Sequence, residues 1–367
     1  MKKIFDFKSD WFQYYQAALR NEIEEEDFTK KYLKAYIVES NYKSINSFMK
    51  DHPNVKIIKS KEKNFFNVKY ERNKFLYLDT ENNRFWVIHS LEPQEKLQPK
   101  IIDIFCNSYL QDKIYIPNQM MEYYRKNLSK RSLGVSLRFR NLRTQEYNEE
   151  QEYDKESSKS IEEEIDNYSL RMWLRRSNQM DYIIQNFKNV GLPINFSFLN
   201  YAFYNEENEL LMKENFHKDG KFTIIKGFDL IKHIDFINKV RDDYSSKLKL
   251  IEDFRIDWKK EKGDLIKIEF NKEINPKRLY QIINSNESIF RMIIIPLFKE
   301  KDYYFFDCLD THTGGRFSLQ VFNQFLYVNL KPDSCGNLVF RLVSNLQNHI
   351  SPEASIEIDN QKIKLLN

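Results

Sequence analysis

Arg138 and Arg140 flank Phe139 in the segment SLGVSLRFRN (132–141), and Arg171, Trp173, Arg175 and Arg176 recur in SLRMWLRR (169–176). Guanidinium groups offer a planar fork of donors that matches phosphate and carboxylate. Aromatic rings give nucleobases a stacking platform. Arg131 and Arg143 border the first segment and extend the basic run. Side chains alternate along a strand, so Ser136, Arg138 and Arg140 share one face, and Val135, Leu137 and Phe139 share the other. The same rule turns Arg171, Trp173 and Arg175 outward and Leu170, Met172 and Leu174 inward. Two neighbouring strands of this kind would present an arginine and aromatic surface to nucleic acid or to an acidic protein. They would equally serve as a solvated sheet face, or pair with the acidic block Glu146–Asp166 that separates them.

A second constellation is Asp307, Asp310 and His312, close to Gly314 and Gly315. Carboxylates and an imidazole beside a turn are donors for a divalent metal, or partners in acid–base chemistry. Alternation opposes the grouping, because Asp307 falls on the face opposite Asp310, so the three converge only if the turn bends. Asp310 in a turn also reads as a carboxylate hydrogen-bonded to its own backbone. His217-Lys218-Asp219-Gly220 reads as a hairpin turn, Asp-Gly being a common pair there.

The sequence lacks the patterns that would name a chemistry. It has no GxxxxGK[ST] phosphate loop, no GxGxxG, no GxSxG, no HExxH and no CxxC, which opposes the nucleotide, hydrolase and zinc classes these motifs serve. Only 8 glycines occur, too dispersed for a phosphate-cradling loop apart from Gly314-Gly315. No cofactor is expected.

Lys and Arg total 58 against 54 Asp and Glu, for a net charge of +4, so no global basic field draws polyanions and any such role needs a local patch. Phe (29), Tyr (22), Lys, Ile and Asn are abundant while Gly and Ala are scarce, the bias of an AT-rich genome. Three scattered cysteines, Cys106, Cys308 and Cys335, suit a reducing compartment. Asp6, Lys8 and Asp10 interrupt any apolar leader behind Met1-Lys2-Lys3, and no apolar run is long enough to span a membrane. A cytoplasmic location is expected.

The elements that must position these residues follow from periodicity. Trp11, Tyr14, Tyr15, Ala18 and Leu19 recur at helical spacing, and Phe28, Tyr32, Tyr36 and Ile37 predict a second helix. Residues 55–88 read as an antiparallel meander of four short strands. Helices are expected near 101–109 and over 117–127, with Pro117 at a start. Residues 132–141 read as a strand, 169–176 as a strand with a helix from Ile161 to Phe187 as its alternative, and Ser160 with Glu163 as a capping box. Strands follow in INFSFLNYAF and KFTIIKG, then the clearest helix, 228–256, capped by Asp229. The tail reads as strand 265–270, helix 276–284, strands near 290–298, 302–309, 316–321 and 324–330, helix 337–349 and strand 355–358. KFLYLDTENNRFWVI (74–88) resembles YYFFDCLDTHTGGRFSLQV (303–321), as two hairpins of one design would.

The expected fold is α+β, antiparallel meanders with packed helices in two lobes. The expected division is an N-terminal lobe at 1–125, basic strands with an acidic insertion at 126–190, and a C-terminal lobe at 191–367. The 228–256 helix is expected to pack on the 264–330 sheet. The expected function is a non-enzymatic binding subunit of an intracellular assembly with a protein partner, engaging nucleic acid or an acidic partner through the arginine surface. One alternative is a metal-dependent hydrolase or nuclease centred on Asp307, Asp310 and His312. Another is a scaffold or host-conflict component, as in antiviral defence, acting only within a complex.

Overall fold

A computed structural model describes residues 4–20, 33–71, 74–91, 99, 102–127, 133–140, 167–174, 177–227, 229–257, 259–300, 303–358 and 361–362. The strands are β1 (Lys34–Ser40), β2 (Lys56–Lys59), β3 (Phe65–Glu71), β4 (Lys74–Asp79), β5 (Phe85–Ser90), β6 (Gln111–Lys113), β7 (Leu133–Arg140), β8 (Asn167–Leu174), β9 (Phe196–Tyr204), β10 (Leu210–His217), β11 (Lys221–Gly227), β12 (Ile266–Glu269), β13 (Met292–Lys299), β14 (Tyr303–Asp310), β15 (Arg316–Phe322), β16 (Phe325–Leu330), β17 (Ser355–Ile358) and β18 (Gln361–Lys362). The class is α+β with antiparallel sheets. The chain forms two compact units, each built from two stretches of sequence: 1–114 with 200–245, and 115–199 with 246–367. Among the described residues no helix is long and apolar enough to cross a membrane.

In the first unit the strands run in the order β2-β3-β4-β5-β1-β11-β10. The 55–88 meander supplies four of them, each pairing with its sequence neighbour. Alternation sends Phe66, Val68, Leu76, Leu78, Trp86 and Ile88 to one face, where Phe48 and Phe105 cover them. Phe65 and Tyr77 point the other way, against Trp11 and Tyr15 of the Lys8–Leu19 helix. Apolar side chains on both faces make this an interior sheet.

The second helix expected from Tyr36 and Ile37 is not there: both lie in β1, which pairs antiparallel with β5 and β11. Every residue of β1 is buried, so it shows no alternation to mark it as a strand. Phe28 and Tyr32, from the same expectation, lie outside the described residues. The long helix, Leu230–Asp253, starts as expected, with Asp229 Oδ1 accepting from Lys232 N at 3.0 Å. Its packing differs from the expectation. Over 230–245 it belongs to the first unit, setting Phe236 against Phe216 and Phe222 of β10 and β11, and Tyr244 edge-on to Phe85.

In the second unit the sheet order is β13-β14-β15-β16-β12-β17-β18. The Asn337–His349 helix is buried along almost its whole length. The Pro276–Ser285 helix is capped by Asn275, whose Oδ1 accepts from Lys277 N at 2.9 Å, and places Pro276 at its first turn. Residues 102–106 form a short π-helical turn in the first unit, and Asn118–Asn127 and Ser177–Asn189 are α-helices in the second.

Candidate nucleic-acid interface

β7 and β8 pair antiparallel, with Ser136 opposite Arg171, Arg138 opposite Ser169 and Arg140 opposite Asn167. Residues directly opposite share a face, so Arg138, Arg140 and Arg171 occupy the same side of the hairpin, and all three are exposed. Val135, Leu137 and Phe139 are buried on the other side. β7 is tied to the start of β9, where Arg138 N donates to Asn195 O at 2.9 Å and Ser197 Oγ donates to Ser136 O at 3.1 Å. Ser136, expected to face outward, is buried under that contact. Phe198 of β9 lies beneath the Arg171 guanidinium, 5.6 Å from ring centroid to Cζ. The strand spacing therefore gathers three guanidiniums, and one of them is stacked and aimed by a ring. Sequence reading missed Phe198, because nothing in the local pattern of β9 shows which strand will lie beside it.

Trp173 stands opposite Gly134 in the ladder. Arg131, Arg143, Arg175 and Arg176, and the acidic block with its Ser160–Glu163 box, lie outside the described residues. Arg125, which precedes the basic run, is not part of the surface. It is buried, held by Glu122 at 2.7 and 2.8 Å and by Asp181 at 2.5 Å. Its carboxylate partners keep it charged against the cost of burial.

Asp307 stands apart from the acid–imidazole constellation, whereas Asp310 Oδ2 and His312 Nδ1 lie 4.0 Å apart. β14 alternates strictly between half-buried and buried positions, which puts Asp307 on the opposite face from Asp310, beside Lys331 at 3.6 Å. Asp310 and His312 are fully buried. Asp310 Oδ1 accepts from the backbone of His312 at 3.1 Å and pairs with the buried guanidinium of Arg341, and its Oδ2 accepts from Thr313 Oγ1 at 3.1 Å. Both of its oxygens are thus engaged in closing the turn and neutralising Arg341, and the three expected ligands do not face one point.

The hairpin echo explains that role. Asp79, the counterpart of Asp310, accepts from Glu81 N at 2.9 Å and pairs with Lys8 of the first helix. Thr80 N donates to Asn64 O at 2.8 Å, and Thr311 N to Arg291 O at 3.0 Å, each acceptor standing just before the neighbouring strand. One turn design, an aspartate closing its own backbone and neutralising a helix cation, occurs once in each unit.

Burial also sets apart a polar cluster in the first unit. His233 Nδ1 and Glu214 Oε2 are 2.6 Å apart and fully buried. Burial raises the Glu214 carboxyl above its ordinary range, and the facing imidazole works against that. His89 packs against Trp11, with ring centroids 4.6 Å apart and planes tilted by 44°. Burial lowers it well below the usual imidazole value, with His233 and Lys8 adding to the effect.

One curated relative is the uncharacterized protein MJECL33 of Methanocaldococcus jannaschii. It is 32% identical to this chain over 158 residues, which is 42% of this chain and 38% of that protein. The aligned part thus spans well under half of the relative's length. A family model described as MJECL33-like protein matches residues 6–365, nearly the whole sequence, and the chain belongs to that family.

Proposed function

We propose that this chain acts by binding, as a non-enzymatic subunit of a cytoplasmic assembly that engages nucleic acid through the outward face of β7 and β8. The observation that carries the reading is the exposed triplet Arg138, Arg140 and Arg171 on one hairpin face, with Arg171 stacked over Phe198. With a net charge of +4, long-range attraction is weak, so contact must come from this local cluster. Guanidiniums two residues apart along a strand stand roughly 7 Å apart, close to the spacing of successive phosphates on an extended single strand. An exposed strand face suits single-stranded nucleic acid, whose bases remain free to stack on aromatic neighbours.

The test is affinity for a single-stranded oligonucleotide across a salt series. Each neutralised phosphate contributes about 0.7 to the slope of log affinity against log salt. The triple variant R138A/R140A/R171A should therefore lose roughly 2 units of slope while keeping its circular dichroism spectrum. Absence of binding by the unaltered protein at low salt removes the nucleic-acid reading. An unchanged slope in the variant places binding elsewhere on the chain.

A further inference from the structure

The Lys8–Leu19 helix covers one face of the first sheet, and its two ends are fastened differently. Ahead of the helix the chain is tied to the sheet. Phe5 N donates to Asn67 Oδ1 and Asn67 Nδ2 donates to Phe5 O, each at 2.9 Å, and Lys61 N donates to Asp6 O at 2.8 Å. At its first turn Lys8 N donates to Glu62 Oε2 at 2.7 Å, and the Lys8 ammonium pairs with Asp79. Near the far end Gln16 Oε1 accepts from Leu230 N at 3.0 Å, where the long helix begins. Between these ties Trp11 and Tyr15 lie buried in a cluster with Phe65, Tyr77, Met212 and Ile224. The helix is hinged at residues 5–8 and latched at Gln16.

Under the helix lies His89, 3% exposed, with its ring against Trp11. Tyr77 of β4 and Ala35 of β1 stand opposite it in the sheet. The Lys8–Leu19 helix brings Lys8, Trp11 and Tyr15 to this place, and the long helix brings His233, which is paired with Glu214 of β10. Burial, then Tyr77, push the Tyr15 hydroxyl further up, so that it stays neutral. Asp79 answers the Lys8 charge. His89 Nδ1, His233 Nε2 and Glu214 Oε1 are buried without a hydrogen-bond partner among the described residues. The two charges that reach the His89 ring, those of His233 and Lys8, both oppose a proton on it. The closed helix therefore holds a neutral ring in a place that penalises a cation.

We infer that the Lys8–Leu19 helix is an acid-released lid, swinging on residues 5–8 when the Gln16 latch lets go, so that His89 meets water and takes up a proton that keeps the lid open. The proton comes from solvent, and no bond between heavy atoms changes. In the open form His89 has the ordinary imidazole value of about 6.5. The closed form binds this proton only at lower pH. Closure is therefore complete above about pH 6.5 and weakens as pH falls, with opening rising about tenfold for each unit. Above that range the aromatic contacts and the latch keep the lid shut. Opening bares the aromatic face of Phe65 and Tyr77 while β3, β4 and β5 stay paired. The lid belongs to the first unit, and its action does not rest on the arginine face of β7 and β8.

The test is hydrogen exchange of the full chain between about pH 7.5 and 5.5, read by peptide mass spectrometry and corrected for the intrinsic exchange rate at each pH. Opening of the Lys8–Leu19 helix should rise about tenfold per unit below about pH 6.5, ahead of any change in β4 and β5. His89→Leu keeps an apolar side chain against Trp11 and should make helix opening independent of pH. Gln16→Ala removes the latch and should raise helix opening about fivefold at every pH, with the pH slope unchanged. The slope of the unaltered chain and the Gln16→Ala result stand even if His89→Leu does not fold. Helix opening that does not change with pH in the unaltered chain overturns the inference, and so does a helix that loses protection only in step with β5. A pH slope that persists in His89→Leu overturns the role of His89. Unchanged opening in Gln16→Ala overturns the placement of the latch.

Discussion

Two aspartates with the same neighbours in sequence carry different energetic weight, and burial decides which matters more. Asp310 and Arg341 are both fully buried, whereas Asp79 faces a Lys8 side chain that is 26% exposed. Removing one member of a buried pair strands the other charge in a low-dielectric interior, at a cost of about 3–5 kcal/mol. A partly exposed lysine can turn to water instead, and such pairs are worth about 1 kcal/mol or less. Asp310→Ala should therefore lose several times the stability lost by Asp79→Ala, as read from urea midpoints and slopes. Equal losses would show that the backbone closure each aspartate makes, and not its ion pair, holds the turn. The same contacts explain why an acid–imidazole triad was an expectation that local sequence could raise but not decide. Asp310 and His312 do share the face that alternation assigns them, but the partner that engages Asp310 is 31 residues away.

At the scale of the element, legibility followed apolar periodicity and turn chemistry. The Asn337–His349 helix and the Ser355–Ile358 strand lie where the residues predict them, and so does the meander. β1 did not, since a strand buried on both faces loses its period of two, and its apolar residues can then fall at helical spacing. Pairing partners were equally hidden. The β7–β8 pairing entered only as a condition, since two strands with an arginine pattern need not pair, and Phe198 on β9 carries no sign that it will lie under Arg171. That contact has its own consequence, conditional on the proposed function. A guanidinium over a ring is held at about 0.5–1 kcal/mol when exposed, so Phe198→Ala should weaken oligonucleotide binding about two- to fivefold. The salt slope should stay unchanged, because every positive charge remains. A reduced slope would mean that Arg171 had swung away from the phosphates altogether.

At the scale of the whole molecule, the fold class was readable while the composition of each compact unit was not, because both are assembled from stretches distant in sequence. Periodicity reports which face of an element is apolar, but not which sheet that face will meet. The long helix illustrates this, with its apolar stripe over residues 230–245 serving the first unit. That burial gives the protein a pH dependence that can be localised. Burial, then His233 and Lys8, keep His89 neutral in the folded state well below the pH at which it would charge when unfolded. The unfolded chain therefore binds more protons as pH falls below about 6.5, and stability is lost over that range, by up to about 1.4 kcal/mol per pH unit for this one group. Glu214 pulls in the opposite direction, since a raised carboxyl gains a proton in the folded state before the unfolded one. The two are separated by comparing the parent protein with His89→Leu, which keeps the apolar contact with Trp11 and removes one titrating group. Between about pH 6.5 and 5.5 the parent should lose stability more steeply than the variant. Hydrogen exchange should show the extra opening on acidification in β5 and its paired strands β1 and β4, where His89 sits. Identical slopes for parent and variant would mean that His89 takes up its proton over the same pH range folded and unfolded, so that its burial confers no pH dependence.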